Sequence, residues 1–311
     1  MGSKQLTILD VSTLLPGPFT SFLLNKHLNV HVEKIEDINH SDPLAHMRPT
    51  KDGIGLGYMA INKNKHITKL DFRKDGIEII KRKAQSSDIF IENYKPGKAF
   101  RLGLGFEDLQ QVNPHIIYCS LTGFGPSHPL AKKSAHDLNI LALSGFLDQQ
   151  QKMRSASFLP PLLLADLFTA YQSAIKILSC LISNSRGIHL EISMYEAFQE
   201  AMILNNYPQL TTQADFNAID YIMSGMYPCY GLYQARDGWV AVAAIEKPLW
   251  IDFCHHLDRQ PWIDQQFDMT LTKDIALVMR QFDRGHWEQE NLDFCVSPVL
   301  SVTEAQQRQY V

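Results

Sequence analysis

The sequence predicts an α/β fold, with a large domain built on a mostly parallel sheet and a smaller α+β domain after it. Short apolar runs rich in β-branched residues alternate with helical stretches through the first half of the chain. This β-α-β alternation is typical of a parallel sheet covered by helices. After residue 226 the pattern changes to a hairpin followed by helices. The change predicts a second domain.

The elements of the large domain, residues 1–204, follow from the spacing of their apolar residues. Strands favour short apolar or alternating runs, and helices place apolar residues on one face with a period of 3.6. The predicted strands are residues 6–11, 30–35, 88–94, 115–123 and 187–193. The predicted helices are residues 17–28, 74–87, 166–183 and 194–204.

The second half of the chain divides into a linker and a small domain. Residues 205–226 are mixed, polar and poorly periodic, and we interpret them as the linker. In the small domain, residues 227–311, two alternating runs meet at Asp237-Gly238, a strong signal for a hairpin turn. Helices are predicted at about 248–257 and 273–290.

Composition and charge exclude several classes of protein. With 45% hydrophobic and 20% charged residues, the 311-residue chain has an ordinary globular composition. A net charge of −4 and dispersed basic residues argue against a nucleic-acid partner. No stretch approaches the ~20 apolar residues of a membrane span, and the chain does not open with a signal-peptide pattern. The five cysteines are scattered and form no CxxC pair, which argues against disulfides and a zinc site. These features predict a cytoplasmic protein.

A polar pair, His136 and Asp137, opens the apolar stretch SAHDLNILALSGFL at residues 134–147. One interpretation is structural, with Ser134 as the helix cap and Asp137 as the acidic partner of a capping box. The other is functional, because a base at a helix start lies beside backbone N–H groups that bind anions. That arrangement suits proton abstraction next to a carbonyl, where negative charge develops on oxygen. The residues alone leave both interpretations open.

Two carboxylates have a similar ambiguity. Asp166 is the only charge in PPLLLADLFTA, where it is either the N-cap of a helix or a carboxylate whose proton affinity is tuned by apolar walls. In the second case it is a candidate base or nucleophile. Glu246 follows the second hairpin strand, either as a solvated strand end or as a carboxylate that holds an imidazole in one tautomer.

Seven stretches of the chain match one family in order and spacing. They are LLPGPFTSFLL (14–24), IENYKPGKAFRLGLGFEDL (91–109), NPHIIYCSLTGFGPSHP (113–129), AHDLNILALSG (135–145), LLLADLFTA (162–170), YGLYQARDGWVAVAAIE (230–246) and CVSPVLSVTEA (295–305). On these motifs the sequence resembles the family III CoA-transferases of the CaiB/BaiF type, most closely their α-methylacyl-CoA racemase branch. The resemblance covers nearly the whole chain.

The resemblance implies a Rossmann-like large domain that binds coenzyme A, and a homodimer whose subunits interlock. Each active site would lie between the large domain of one subunit and the small domain of the other. His136 and Asp166 would flank the α-carbon of a 2-methylacyl-CoA, one removing its proton and the other returning a proton to the opposite face. Glu246 would polarise His136, and backbone amides near Asp137 would hold the enolate oxygen. Coenzyme A enters as part of the substrate, and no metal or other cofactor is implied.

The same resemblance implies that coenzyme A is bound by Lys34, Lys63, Lys95, Arg101 and Ile140. Lys34 and Lys95 occupy positions where arginine is usual, and lysine offers a charge without the bidentate fork of arginine. The family also has a C-terminal segment that returns to the large domain, and we expect that segment to be missing because the sequence ends soon after the last motif.

Three activities remain open at this point. The first is racemisation or epimerisation of 2-methyl-branched acyl-CoA thioesters. The second is CoA transfer with Asp166 as the acyl-carrying nucleophile, which His136 disfavours because transferases of this kind usually have another residue there. The third is a degenerate homologue that binds coenzyme A without turnover. The acyl chain cannot be read from the apolar residues, since core packing explains them equally well.

Overall fold

The computed structural model describes residues 5–154, 159–212, 221–289 and 292–308. These residues fall into two compact units. The large unit lies within residues 1–147 and 159–214, and the small unit lies within residues 148–158 and 215–311.

The large unit is built on a six-stranded parallel sheet in the order β5-β2-β1-β6-β7-β8. In chain order, the strands of the large unit are β1 (Leu6–Asp10), β2 (Val30–Asp37), β3 (Thr50–Lys51), β4 (Ile54–Gly55), β5 (His66–Leu70), β6 (Ile89–Glu92), β7 (Ile117–Thr122) and β8 (Ile188–Ser193). The short strands β3 and β4 form a separate antiparallel pair. The predicted α/β class with a parallel sheet is confirmed.

Helices lie between the strands of the sheet, as parallel pairing requires, and two more follow the last strand. They are α1 (Pro16–His27), α2 (Leu56–Asn62), α3 (Gly76–Ala84), α4 (Lys98–Arg101), α5 (Phe106–Val112), α6 (Asp137–Leu143), α8 (Leu164–Ile182), α9 (Met194–Ala201) and α10 (Ile203–Thr212). A further helix, α7 (Phe146–Arg154), spans the boundary between the two units. A 3-10 turn covers Pro43–His46.

The central strands β1, β6 and β7 are mostly buried on both faces of the sheet, which explains why they read as nearly continuous apolar runs. On one face, Ile8 and Ile91 pack in a cluster with residues of α1 and with Ile177 of α8. On the other face, Phe90 clusters with Ile80 of α3 and with residues of α5. The helices on the two faces therefore hold the strand ends in a fixed arrangement.

The order of the strands reverses at β1. From β1 the chain builds outward through β2 and β5 on one side, and through β6, β7 and β8 on the other. In open parallel sheets, ligands bind beyond the carboxyl ends of the strands at such a switch point. The loops that follow β1 and β6 are therefore the expected walls of a binding site.

The small unit contains a three-stranded antiparallel sheet in the order β11-β10-β9. Its strands are β9 (Tyr230–Ala235), β10 (Gly238–Ala243) and β11 (Val296–Pro298), and its helices are α11 (Lys247–His256), α12 (Thr272–Met279) and α13 (Val302–Gln307). The predicted hairpin is confirmed, but its two-residue loop is Arg236-Asp237, because Gly238 already pairs with Ala235. Trp250, Phe253 and Trp287 are among the buried residues of its core.

The structure differs from the sequence-based expectation at three segments. The edge strand β5 was not predicted. The predicted linker begins inside a helix, because α10 continues to Thr212 despite an internal proline, Pro208. Residues 213–220 of that linker lie outside the described residues. The helix expected at 273–290 ends at Met279 and is followed by a separate 3-10 turn at Arg284–Glu288. In the described parts of the chain, no helix combines the length and the apolar character that crossing a membrane requires.

Candidate active site

A cavity of about 310 Å³ lies at the switch point of the large unit. Its walls come from the carboxyl ends of the central strands and from the starts of α6 and α8. The lining residues are Thr13, Leu14, Pro16, Asn93, Tyr94, Lys95, Pro96, Leu121, Thr122, Gly123, Lys133, Ser134, Ala135, His136, Asp166 and Met194. The cavity thus brings together two of the three predicted catalytic residues, His136 and Asp166, with the predicted coenzyme A ligand Lys95.

The loops that follow β1 and β6 form walls of this cavity, and reciprocal hydrogen bonds join them. The backbone N–H of Thr13 donates to Oδ1 of Asn93 at 2.9 Å, and Nδ2 of Asn93 donates to the carbonyl of Thr13 at 2.7 Å. The next residue, Leu14, has a φ of 64°, which is costly for a residue with a side chain. Its N–H donates to Oδ1 of the buried Asp42 at 3.0 Å. Side-chain hydrogen bonds therefore hold both loops in place.

His136 is the N-cap of α6, and its side chain is exposed at the cavity. Its own backbone N–H donates to Oδ1 of Asn139 at 3.0 Å. This arrangement corrects the expected cap: Ser134 lies outside the helix, and Asn139 rather than Asp137 supplies the side chain that reaches back. The imidazole of His136 is therefore presented at a helix start, where the first backbone N–H groups have no partner within the helix.

Asp137 is buried, and its carboxylate holds the start of another helix. Its Oδ1 accepts from the backbone N–H of Ala165 at 2.6 Å and of Asp166 at 3.2 Å. Burial raises the pKa of Asp137, although these two hydrogen bonds oppose the shift. Asp137 thus satisfies two of the N–H groups that the first turn of α8 leaves unpaired, and it sets the position of Asp166.

Asp166 lies in the first turn of α8, and the N-cap position, one of the two roles considered for Asp166, belongs to Leu163. Its carboxyl lines the cavity. Burial, and then the negative charge of Asp137, raise the pKa of Asp166 to about 7. A carboxyl with this pKa is present in both protonation states near neutral pH, so it can donate or accept a proton.

The other predicted ligands of coenzyme A have different surroundings. Lys34 is fully buried, with its Nζ 2.7 Å from the Ser12 carbonyl and 3.2 Å from a carboxylate oxygen of Asp42. Ile140 is fully buried in the cluster that joins α6, α8 and α9. Both placements argue against the predicted contacts with coenzyme A, because the ammonium group of Lys34 is buried against Asp42 and Ile140 has no exposed surface.

Lys63, Arg101 and Glu246 lie outside the residues that line this cavity. Lys63 is exposed and lines a separate cavity of about 410 Å³, together with Lys26 and Lys65. Arg101 is exposed at the end of α4. Glu246 belongs to the small unit, where it is the exposed N-cap of α11.

Several lining residues were missed by the sequence analysis. Asn93 and Tyr94 follow β6, and a strand that ends in a polar residue and a proline-glycine turn could have indicated them. Thr13 gave no comparable signal, because its backbone and not its side chain makes the contacts with Asn93. Among the described residues, no group of three or more His, Cys, Asp or Glu side chains is arranged to hold a metal ion.

Comparisons with known proteins place the fold and the site in context. Human succinyl-CoA:glutarate CoA-transferase is 29% identical over 264 residues, which are 83% of this chain and 59% of that protein. Human alpha-methylacyl-CoA racemase is 27% identical over 319 residues, which are 98% of this chain and 79% of that protein. The chain therefore spans less than two thirds of the first relative and about four fifths of the second.

A solved structure supports the same fold. The crystal structure of a CaiB/BaiF family protein from Brucella suis superposes with a TM-score of 0.83 at 22% identity, covering 97% of this chain and 85% of that one. The model of the family described as CoA-transferase family III matches residues 4–311. The chain belongs to CoA-transferase family III.

Proposed function

We propose that this protein racemises or epimerises 2-methyl-branched acyl-CoA thioesters by transferring the α-proton between two bases. The observation that carries the proposal is that His136 and Asp166, two groups able to exchange protons, line one cavity at the switch point of the sheet. The pKa of about 7 for Asp166 supports it further, because a general acid or base works best when its pKa is near the working pH.

The proposed reaction moves one proton off the α-carbon and a second proton onto it. In one direction neutral His136 accepts the α-proton, the electron pair of the C–H bond forms the enolate, and the protonated carboxyl of Asp166 donates to the opposite face. In the other direction the Asp166 carboxylate accepts the proton and the His136 imidazolium donates. The first N–H groups of α6 support this scheme as donors to the enolate oxygen, since charge develops there during proton removal.

The binding of the thioester is the second part of the proposal. Lys95 and Lys133 line the cavity with exposed side chains, so their charges can meet phosphate groups in solvent. Asn93 and Tyr94, in the loop that follows β6, would hold the remainder of coenzyme A. Glu246, which belongs to the small unit, remains a prediction from the resemblance, and so does its action on His136.

A CoA transfer reaction is the second candidate. It is supported by the same cavity-lining carboxyl, since Asp166 could attack the thioester and carry the acyl group as a mixed anhydride while CoA leaves. Relatives named as transferases and relatives named as racemases are both found. The raised pKa of Asp166 favours proton transfer, because a nucleophile acts as the carboxylate and part of this group is protonated at neutral pH.

One experiment separates the two reactions. The protein is incubated in D₂O with the (R) or (S) form of a 2-methylacyl-CoA, and α-deuterium and configuration are measured. Deuterium incorporation with loss of configuration supports the racemase. Retained α-hydrogen, together with exchange of CoA between carboxylic acids and a hydroxylamine-trapped acyl group at Asp166, would replace it with the transferase. Coenzyme A binding without either reaction would support a homologue that binds but does not turn over.

We also propose that the protein forms a homodimer. Helix α8 exposes four large apolar residues on one face, at spacings of three, four and seven: Phe168, Tyr171, Ile175 and Ile182. Helix α10 adds exposed apolar residues at Ile203, Leu204, Tyr207 and Leu210. Exposed apolar patches of this kind are typical of protein–protein interfaces, and the resemblance supplies the expected partner, a second copy of this chain.

A further inference from the structure

A second cavity, of about 230 Å³, lies next to the candidate active site and shares with it Tyr94, Lys95, Pro96 and Thr122. The buried carboxyl of Glu92, the last residue of β6, lines this second cavity. Glu92 immediately precedes the loop that forms one wall of the active site. Its surroundings therefore bear on how that wall is held.

The carboxyl of Glu92 is bound at both oxygens. Its Oε2 accepts from the backbone N–H of Tyr94 at 2.6 Å, and its Oε1 lies 3.3 Å from the hydroxyl of Tyr118. The Tyr118 hydroxyl is closer to another acceptor, the carbonyl of Leu104, at 3.0 Å. A hydroxyl has one proton to donate. When that proton is directed to Leu104, the contact between Tyr118 and Glu92 needs a proton on the carboxyl.

A protonated Glu92 satisfies every group in this chain of contacts. The carboxyl O–H donates to the Tyr118 hydroxyl, the hydroxyl donates to Leu104, and the other carboxyl oxygen accepts from Tyr94. Loss of the proton places a negative charge in a buried position. The single proton of the Tyr118 hydroxyl then has two competing acceptors, Glu92 and the Leu104 carbonyl. A carboxylate also accepts the Tyr94 N–H more strongly than a neutral carboxyl does, so the wall stays held and the change acts on the cavity through the added negative charge.

We propose that Glu92 is a positioning residue for the active site whose charge also controls binding: its carboxyl fixes the wall that begins at Asn93 in either protonation state, and loss of its proton weakens binding of an anionic CoA thioester. The inference rests on the proposed function, since it takes the first cavity as the CoA site. Burial raises the pKa of Glu92 to about 7, which places the change near neutral pH. Affinity therefore falls as pH rises through this value, because the added charge repels the polyanionic ligand.

Other titratable and charged groups surround Glu92 and influence its ionisation. Those that line the second cavity or act directly on its charge are Tyr94, Lys95, Lys98, Glu107, Tyr118, Cys119, His189 and Glu191. Glu107 and Glu191 are exposed at the cavity, so their charges are screened by water. Glu191→Gln is therefore a matched control that removes one carboxylate from the same cavity without touching the Tyr94 N–H.

The test compares the dissociation constant of coenzyme A at about pH 6 and pH 8 by calorimetry. For the wild type and for Glu191→Gln we expect a rise of about threefold to tenfold at the higher pH, which corresponds to a ligand-linked shift of half to one pKa unit. Glu92→Gln keeps an acceptor for Tyr94 and a donor for Tyr118 but cannot ionise, so its affinity should show only the weaker dependence that comes from Asp166, whose pKa is also about 7. The contribution of Glu92 should be lost. A purely structural role would not remove it.

Two results would overturn the inference in distinguishable ways. If the wild type binds coenzyme A and Glu92→Gln keeps the full pH dependence, the inference fails while the proposed function stands. If the wild type binds no coenzyme A at either pH, the proposed function fails and the inference fails with it. Carbon-13 NMR of labelled glutamate adds a direct readout, since a Glu92 carboxyl that is already ionised at about pH 6 would also contradict the inference.

Discussion

At the scale of single residues, two neighbouring carboxyls have divided roles. Asp137 is committed to backbone N–H groups, whereas Asp166 faces the cavity and has a pKa raised to about 7 by burial and by Asp137. Two like charges in one site disfavour each other. The structural carboxylate thus helps to keep the cavity carboxyl partly protonated, which is the state that a proton donor needs.

The raised pKa of Asp166 predicts a pH-dependent cost in stability. Its pKa lies near 7 in the folded protein against a reference value of 3.8, so its stabilising contribution is present below about 4 and is lost as pH rises toward 7. The quantity to compare is the difference in the free energy of unfolding between Asp166→Asn and the wild type. We expect this difference to favour the variant by about 1–3 kcal/mol more at pH 8 than at pH 4. Urea unfolding at both pH values measures the difference. An equal effect at the two pH values would contradict the prediction.

A second residue-scale prediction concerns His136. His136→Ala should lower the rate of α-deuterium exchange by about 10²- to 10⁴-fold, the usual contribution of a general acid or base. Because the side chain is exposed, coenzyme A binding and the unfolding transition should change little. His115→Ala is the matched control, since His115 is also exposed and lies just before β7, at the opposite ends of the strands. Retained exchange in His136→Ala would remove His136 from the mechanism.

At the scale of elements, the start of α8 depends on a side chain from another helix. The two hydrogen bonds from Ala165 and Asp166 to Asp137 connect residues that are 28 and 29 positions apart. Such a cap does more than stabilise one helix end, because it also fixes α8 relative to α6. The spacing between His136 and Asp166 follows from that connection.

Asp137→Ala should therefore affect stability and activity together. Loss of a helix cap costs about 1–2 kcal/mol in the free energy of unfolding, and the displaced α8 start should also slow deuterium exchange. Asp108→Ala is the control: Asp108 accepts from the backbone N–H of Gly105 at 3.1 Å at the start of α5, and it does not line the cavity. We expect a stability loss of similar kind in both variants and slower exchange only in Asp137→Ala. Unchanged exchange in Asp137→Ala would show that this cap does not position the site.

The same connection explains what the sequence could and could not predict. Five of the six strands of the parallel sheet, the hairpin and the candidates His136 and Asp166 are visible in local apolar patterns and family motifs. The sixth strand, β5, was missed because its sequence, HITKL, has little apolar character and is only partly buried. Ser134 and Asp166 have the residue types of local caps, and capping was one of the two interpretations left open for each. At α8 the side chain that accepts from the helix start is Asp137 of another helix, which a local pattern does not reveal. The burial of Lys34 was missed for the same reason, since its partner Asp42 is brought close by folding.

At the scale of the whole molecule, self-association is the property that the exposed apolar residues predict. Ile175→Glu should shift the protein from dimer to monomer, because a charge in a buried interface is costly. Ile38→Glu is the control, with a wild-type residue of closely similar exposure (58% against 62% for Ile175) outside α8 and α10. Light scattering after size-exclusion chromatography measures the mass of each variant. A wild type that is monomeric at every concentration would contradict the proposed dimer.

The chain order of the parallel sheet has a consequence for biosynthesis. The last of its six strands, β8, ends at Ser193, whereas the first strand of the small unit, β9, begins at Tyr230. Every strand of the larger sheet has therefore been synthesised before translation of the hairpin begins. Since domains generally fold as units and the N-terminal one first, we expect the nascent chain to complete this sheet, and to form the cavity at its centre, while the remainder of the protein is still being made.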